Sequence, residues 1–483
     1  MKTFEFKDLQ LINGEFVSAS TEQTWDLINP ATEELIKKIP FGNDQDAKNA
    51  IRSAEASFSV WATTPAYERA KILIRAASKI RDLAEELATI TTEESGKPLS
   101  EAKGEWVVGA DLIEWFAEEG KRSYGRTVPS RTNDRRLTVT KSPVGVVGAI
   151  TAWNFPVYNT ARSWAAALSA GCSVVARPSE YTPRSAMALA QILHDSGLPP
   201  GCLNLISGDP VSMGRELLEN PVVKKISFTG SVRVGEILMD GASKTHTKLA
   251  LELGGNAPVI ISDSVDVKKV AKSAIGAKFR NCGQVCISPQ RFIVHKNIAG
   301  EFKEVLLEEL KTIKIGNGFE VSTTMGPLIN ATQKQRVKDL IKDATISGDK
   351  IISDNLDVPE KGYFVSPAIV EVASLESPLI TNEIFGPVMP ITVFEDYKEA
   401  IEIANNTPYG LAAYIWDSNL DRATAIAEKV ESGMIAINCW NPQGIEVPFG
   451  GVKKSGLGRE CGSEGLDEYL EEKLIAVGTD YSF

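Results

Sequence analysis

The sequence predicts an α/β protein built from a parallel-sheet domain, a second α/β domain and a small protruding sheet, on three observations. Short apolar runs at 144–150, 173–176, 203–206, 225–228 and 248–251 alternate with amphipathic stretches such as 183–193, the texture of buried parallel strands joined by helices. A second series of the same kind follows, with runs at 258–261 and 291–295 and helical stretches at 266–279 and near 302–310. Two alternating segments, 136–141 and 473–477, flank these blocks and belong to neither, so they are expected to pair as a separate sheet that joins subunits.

Upstream, Leu73, Ala76, Ala77, Ile80, Leu83, Ala84 and Leu87 recur at helical spacing, so the N-terminal third is expected to be helix-rich. The 483 residues exceed the size at which one core keeps growing, which predicts two or three domains and a cleft between them. Apolar residues at 43% and charged residues at 24% are ordinary for a globular protein. A formal charge of −11 works against attraction to nucleic acid or an anionic membrane surface, so neither is expected as a partner. Six cysteines, Cys172, Cys202, Cys282, Cys286, Cys439 and Cys461, are scattered as reduced thiols are rather than framed as disulfides. The segment 1–8 lacks the apolar core of a signal peptide, and no run approaches the roughly 18 apolar residues of a membrane span. The expected location is therefore the cytoplasm.

The segment Phe279-Arg280-Asn281-Cys282-Gly283-Gln284-Val285-Cys286 runs from a helix into a glycine turn that presents a cysteine. A nucleophilic thiol needs partial exposure and a polar setting, and Cys286 fits that description, although free cysteines commonly just pack. Glu252 interrupts the end of an apolar run before Gly254 and Gly255, which places a carboxylate at the carboxyl end of a strand, where sites in open α/β sheets gather. A solvated strand end is the plainer alternative. Asn154, after Trp153, ends another apolar run and offers an amide donor of the kind an oxyanion hole uses. In Phe228-Thr229-Gly230-Ser231 a strand passes through Gly-Ser into a helix, exposing N–H groups that suit a phosphate, without matching either glycine-rich nucleotide fingerprint. The histidines, His194, His246 and His295, lie far apart, so no metal site is expected.

Taken together these segments resemble the aldehyde dehydrogenase superfamily, from Asn29-Pro30-Ala31-Thr32 to Pro448-Phe449-Gly450-Gly451. Trp153-Asn154-Phe155-Pro156, Phe228-Thr229-Gly230-Ser231, Glu252-Leu253-Gly254-Gly255, Gly283-Gln284-Val285-Cys286 and Glu383-Ile384-Phe385-Gly386-Pro387 occur in that family's order. The resemblance implies that Cys286 attacks an aldehyde carbonyl while the Asn154 amide and the Cys286 N–H hold the oxyanion. It further implies that hydride passes to a nicotinamide and that Glu252 activates the water that releases the acid. For the cofactor it implies Ser231 near the pyrophosphate, Glu383 on the nicotinamide ribose, and Phe385 and Trp153 along the nicotinamide end. Arg177 stands where the family usually has lysine, and Glu180 follows it. The carboxylate suits a ribose 2′-OH and the arginine a 2′-phosphate, so NAD is expected with NADP possible.

The same resemblance assigns 1–124 and 143–252 to a dinucleotide-binding domain, 253–450 to a catalytic domain, and 125–142 with 460–483 to oligomerisation into a homodimer or homotetramer. Within the superfamily the chain looks closest to succinate semialdehyde dehydrogenases, where arginines at the positions of Arg162 and Arg280 hold the substrate carboxylate. A solvated helix face for Arg162 and a helix-end cation for Arg280 are the alternatives. The serine that subfamily carries before the Pro-Phe-Gly-Gly loop is absent from 440–446. Another small anionic aldehyde, sulfonated or dicarboxylic, or a neutral one, therefore stays open. A CoA-acylating enzyme and a catalytically silent binding protein are the further alternatives, disfavoured by the presence of Glu252 and of Cys286, Glu252 and Asn154 together. Cys282, four residues before Cys286, is either inert or a disulfide partner under oxidation.

Overall fold

The computed structural model describes residues 5–479; the outermost residues of the first and last expected segments, 1–4 and 480–483, lie outside it. Two largely parallel sheets and one small antiparallel sheet carry the architecture, as the alternation of apolar runs predicts.

In spatial order the parallel core of the first sheet runs Leu203–Leu205, Ser173–Pro178, Val146–Thr151, Val223–Thr229 and Lys248–Glu252. Gln10–Ile12 closes one edge and Gly456–Leu457 the other, both antiparallel. The chain thus starts in the middle, builds outward one way, then returns to build the other way. Between Val146–Thr151 and Val223–Thr229 the direction of winding reverses, and a crevice opens there beyond the carboxyl ends. Strand Ser173–Pro178 is buried along its whole length, which is why its sequence reads as a continuous apolar run up to Arg177.

After Glu252 a short turn, 253–256, leads into Ala257–Ile261 of the second sheet. There the parallel strands stand in the order Ala368–Glu371, Val388–Phe394, Pro289–His295, Ala257–Ile261, Ala412–Trp416 and Met434–Ile437. That turn joins the carboxyl end of a strand near one edge of the first sheet to the amino end of a central strand of the second, and the residues at 252–256 lie in the seam.

Helix Tyr158–Ala170, which follows the crevice, is buried on every side from Asn159 onward and stops at Gly171, whose φ of 100° an L side chain rarely adopts. Helix Leu99–Glu119 packs across it, with Gly109 facing Ala161 and the Phe116 carbonyl accepting from the Ser169 hydroxyl. The segments expected to pair do so: Leu470–Gly478 lies antiparallel to Arg135–Pro143, with Arg126–Val128 as third strand. Ile475 and Val477, which share one face of that sheet, are 43% and 54% exposed, an apolar pair uncovered in the single chain. Among the described residues no helix is long and apolar enough to cross a membrane.

Candidate active site

Helix Val267–Phe279 runs into a turn, Arg280–Gly283, in which Asn281, Cys282 and Gly283 take φ of 47°, 56° and 73°. A Cβ on Gly283 would lie 2.2 Å from the carbonyl oxygen of Gly386, so only glycine passes there. This turn reverses the chain and delivers Cys286, half-buried, to the seam between the sheets. Side-chain amides hold it in place. Asn281 Nδ2 donates to the Asn154 carbonyl at 3.0 Å, Gln284 Nε2 donates to the Asn281 carbonyl at 3.1 Å, and Gln284 Oε1 accepts from Ile329 N–H at 3.0 Å. Asn154 Nδ2 donates to the Gln284 carbonyl at 3.2 Å, which ties the end of Val146–Thr151 to the cysteine turn.

Cys286 stands on the wall between two cavities. One, of about 280 Å³, is lined by Trp153, Asn154, Ser231, Glu252, Glu383 and Phe385. The other, of about 330 Å³, is lined by Phe155, Tyr158, Arg162, Arg280, Gln443 and Phe449. Burial pushes the Cys286 thiol up to about 12, the Arg162 charge pulls it down, and the Glu252 and Glu383 carboxylates push it up further.

Glu252 ends strand Lys248–Glu252 in register with Thr229, is 3% exposed, and neither of its oxygens has a hydrogen-bond partner. An ionised carboxylate so placed has lost its water and gained no donor, so burial drives its pKa well up; the neighbouring Glu460 adds to this while Arg162 and Arg459 oppose it. Burial thus favours the protonated form of this side chain.

In the first cavity the chain's geometry suits a dinucleotide. Ser231 caps helix Val232–Thr245, its oxygen accepting from Val234 N–H, so the free N–H groups of the first turn face the crevice at the winding switch. Glu383 Oε1 accepts from Gly255 N–H at 3.1 Å, and a Cβ on Gly254 would come within 2.4 Å of Glu383 Oε2, so the turn is shaped around that carboxylate. Burial raises Glu383 to about 7 against the Gly255 bond and the Arg336 charge. Phe385 meets the Trp153 ring edge-on at 5.4 Å. One strand over, at the end of Ser173–Pro178, Arg177 Nη2 donates to Glu180 Oε2 at 2.8 Å and to the Gly208 carbonyl at 2.9 Å, leaving its buried Nε unpartnered. The arginine and the glutamate that pull cofactor choice in opposite directions are thus bound to each other.

The second cavity holds Arg162 and Arg280, with Glu101 and Glu105 on the same lining. Arg162 is no solvated helix residue: it is 2% exposed, ion-paired with Glu460, and packed over the Phe449 ring at 4.3 Å. Arg280 lies over the Phe155 ring at 5.1 Å and, among the described residues, makes no ion pair. Gln443 lines the same space with no side-chain hydrogen bond among those residues. Glu460 and Gln443 carry no motif that singles them out. Glu460 follows a glycine-rich stretch whose strand, Gly456–Leu457, exists only by pairing with Leu251 and Glu252.

A half-buried thiol between a cavity fed by a helix N-terminus and a cavity lined by guanidinium groups defines a nicotinamide-nucleotide-dependent dehydrogenase. The chain belongs to the aldehyde dehydrogenase family, whose pattern matches residues 16–475. It is 42% identical over 468 residues to the mitochondrial succinate-semialdehyde dehydrogenase of Oryza sativa, covering 97% of this chain and 89% of that one. Identity is 40% to the glutarate-semialdehyde dehydrogenase of Pseudomonas putida, across 98% and 99% of the two chains. The crystal structure of succinate-semialdehyde dehydrogenase from Burkholderia pseudomallei superposes with a TM-score of 0.97 at 39% identity, covering 99% and 100%.

Replacing Arg162 by methionine strands the buried Glu460 carboxylate and is expected to cost about 3–5 kcal/mol, whereas Arg162→Met with Glu460→Leu should recover most of that. Denaturant midpoints of the wild type, the single and the double variant check it; equal losses in both variants would contradict the pairing.

Proposed function

We propose that this enzyme oxidises a small aldehyde carrying an anionic group at its far end to the corresponding acid, using NAD in preference to NADP. The observation that carries this reading is Arg280: a guanidinium in the same cavity as Cys286 that makes no ion pair among the described residues, its charge felt by the Glu101 carboxylate on the same lining. A substrate anion is what such a charge binds, and a bidentate carboxylate or sulfonate matches its fork. Semialdehydes of dicarboxylic acids, such as succinate semialdehyde, place an anion opposite the aldehyde. Gln443 takes the place in which the succinate-type enzymes are expected to have serine, and its longer amide meets the anion from the other wall.

In the reaction, the Cys286 sulfur adds to the aldehyde carbon, with the Asn154 amide and the Cys286 N–H donating to the oxygen that becomes negative. A nicotinamide held beside Trp153 and Phe385 would supply the acceptor for the hydride released from that carbon. The acyl group is then a thioester on Cys286. Glu252, once deprotonated, takes a proton from water as the oxygen adds to the acyl carbon; the sulfur leaves and is reprotonated, and a free acid departs. Ser231, Glu383, Phe385 and Trp153 bind the dinucleotide. Glu180 receives the ribose hydroxyls, and its bond to Arg177 withholds that guanidinium from a 2′-phosphate. On this reading 1–124 and 143–252 form the cofactor-binding domain and 253–450 the catalytic domain.

We propose further that the exposed apolar face of the small sheet, through Ile475 and Val477, seals against a second copy in a homodimer or homotetramer. Light scattering should give a mass above one chain, falling toward the monomer in Ile475→Glu/Val477→Glu; a wild-type monomer would reject the proposal. The six cysteines are free, which accords with a reducing cytoplasm, and fractionation alongside a cytoplasmic marker tests that location.

With Glu252→Gln, the first turnover should release reduced cofactor as a burst while steady turnover falls at least ~100-fold. Since burial raises the Glu252 pKa, the wild-type deacylation rate should rise with pH as that carboxyl ionises, and this rise should be missing in Glu252→Gln. Stopped-flow absorbance reads both, and a variant without a burst but with normal cofactor binding would mean the carboxylate serves the earlier step. A panel of aldehydes with and without a terminal anion, run with NAD and with NADP, tests the substrate. Arg280→Met should raise KM roughly tenfold or more for anionic members, the loss of about 1.4 kcal/mol, and leave neutral ones near wild type. Equal effects on both classes would overturn the anion assignment.

A further inference from the structure

The geometry points to Lys97, acting with Glu105 and Asn281, as a positioning clamp on Asn154. This inference rests on the reading of Asn154 as the oxyanion donor. Lys97 follows Gly96, which ends helix Ala84–Ser95 in the left-handed conformation and aims the next residue inward. Its side chain is fully buried. Nζ donates to Glu105 Oε2 at 2.5 Å and to the Asn154 carbonyl at 2.9 Å, and sits 4.3 Å from the centre of the Phe155 ring.

The partner carboxylate works on the same short segment. Glu105 Oε1 accepts from the N–H groups of Val157 at 2.7 Å and Tyr158 at 3.1 Å, the unsatisfied donors where helix Tyr158–Ala170 begins. One buried ion pair thus grips residues 154–158 at both ends. From the opposite side Asn281 Nδ2 donates to the same Asn154 carbonyl at 3.0 Å. Two donors from separate elements saturate that oxygen, so the peptide after Asn154 cannot turn, and the side-chain amide is carried to a fixed place beside Cys286.

Stability alone is a poor reason for this arrangement. Taking an ammonium and a carboxylate out of water costs about as much as their attraction returns, and apolar residues of similar volume often do as well. What apolar residues cannot do is hold a carbonyl oxygen and two helix N–H groups at set positions. An oxyanion hole needs that, because its donors act only when aimed in advance.

The test is a double-mutant cycle between Lys97→Met and Asn154→Ala, read as the rate constant of the cofactor-reduction burst, with cofactor binding followed by fluorescence. Asn154→Ala should slow the burst ~10²–10³-fold, the usual loss of one oxyanion donor. Lys97→Met should slow it roughly 10-fold or more in the wild-type background and no more than about threefold once Asn154 is alanine, because the two residues act in series. Cofactor affinity should stay as in the wild type in all variants. Equal losses from Lys97→Met in both backgrounds, with Asn154→Ala damaging by itself, would overturn the clamp and leave the oxyanion reading standing. An unchanged burst in Asn154→Ala would remove the oxyanion reading and the clamp with it. If Lys97→Met does not fold, Asn281→Ser, which removes the other donor to the carbonyl, runs the same cycle with the same two outcomes.

Discussion

The guanidinium of Arg162 is a positive charge sealed among acids: it pairs with Glu460, opposes proton retention by Glu252, and draws the Cys286 thiol down against the burial that raises it. In water such influences would fade within a few ångströms, but in a dry seam between two sheets they persist. Each of the three acids is raised by its burial, and in each the Arg162 charge works against that rise. Because Arg162 lies on helix Tyr158–Ala170, directly after the turn that carries Asn154, the same helix that places the amide also places the charge.

That helix is positioned by topology. The first sheet winds outward in both directions from Val146–Thr151, and the crevice at the reversal is where the chain has Trp153, Asn154 and, from the neighbouring strand, Thr229 to Ser231. The second sheet follows the short turn after Glu252, with Ala257–Ile261 among its central strands. Cys286 lines both cavities, one with Ser231 at a helix N-terminus and one with Arg162 and Arg280. The narrow passages are kept by close backbone approaches, at Gly283 against Gly386 and at Gly254 against Glu383.

Much of this was legible in the chain. Buried strands read as unbroken apolar runs, and the residues that end them, Asn154, Arg177, Ser231 and Glu252, stand out because they interrupt those runs. The small sheet was legible too, since alternating segments that fit neither block had only each other to pair with. Lys97, Glu105 and Glu460 were not: each looks like an ordinary surface charge in a polar stretch, and each is buried only because a partner arrives from elsewhere, Asn154 for Lys97, Val157 for Glu105 and Arg162 for Glu460. The orientation of Arg177 was equally unreadable, because whether it meets Glu180 or solvent depends on how the turn after the strand closes.

By itself the amino-acid sequence determined the alternation of strands and helices, the strand-end residues and the family to which they belong, because periodicity and local turns act over a few residues. Tertiary structure alone decided which charges are paired: Arg162 with Glu460, Lys97 with Glu105, Glu252 with no hydrogen-bond donor and Arg280, among the described residues, in no ion pair. The reason is that the energy of a buried charge is set by the dielectric around it and by the atoms within a few ångströms, and in this chain those atoms come from segments far apart in order.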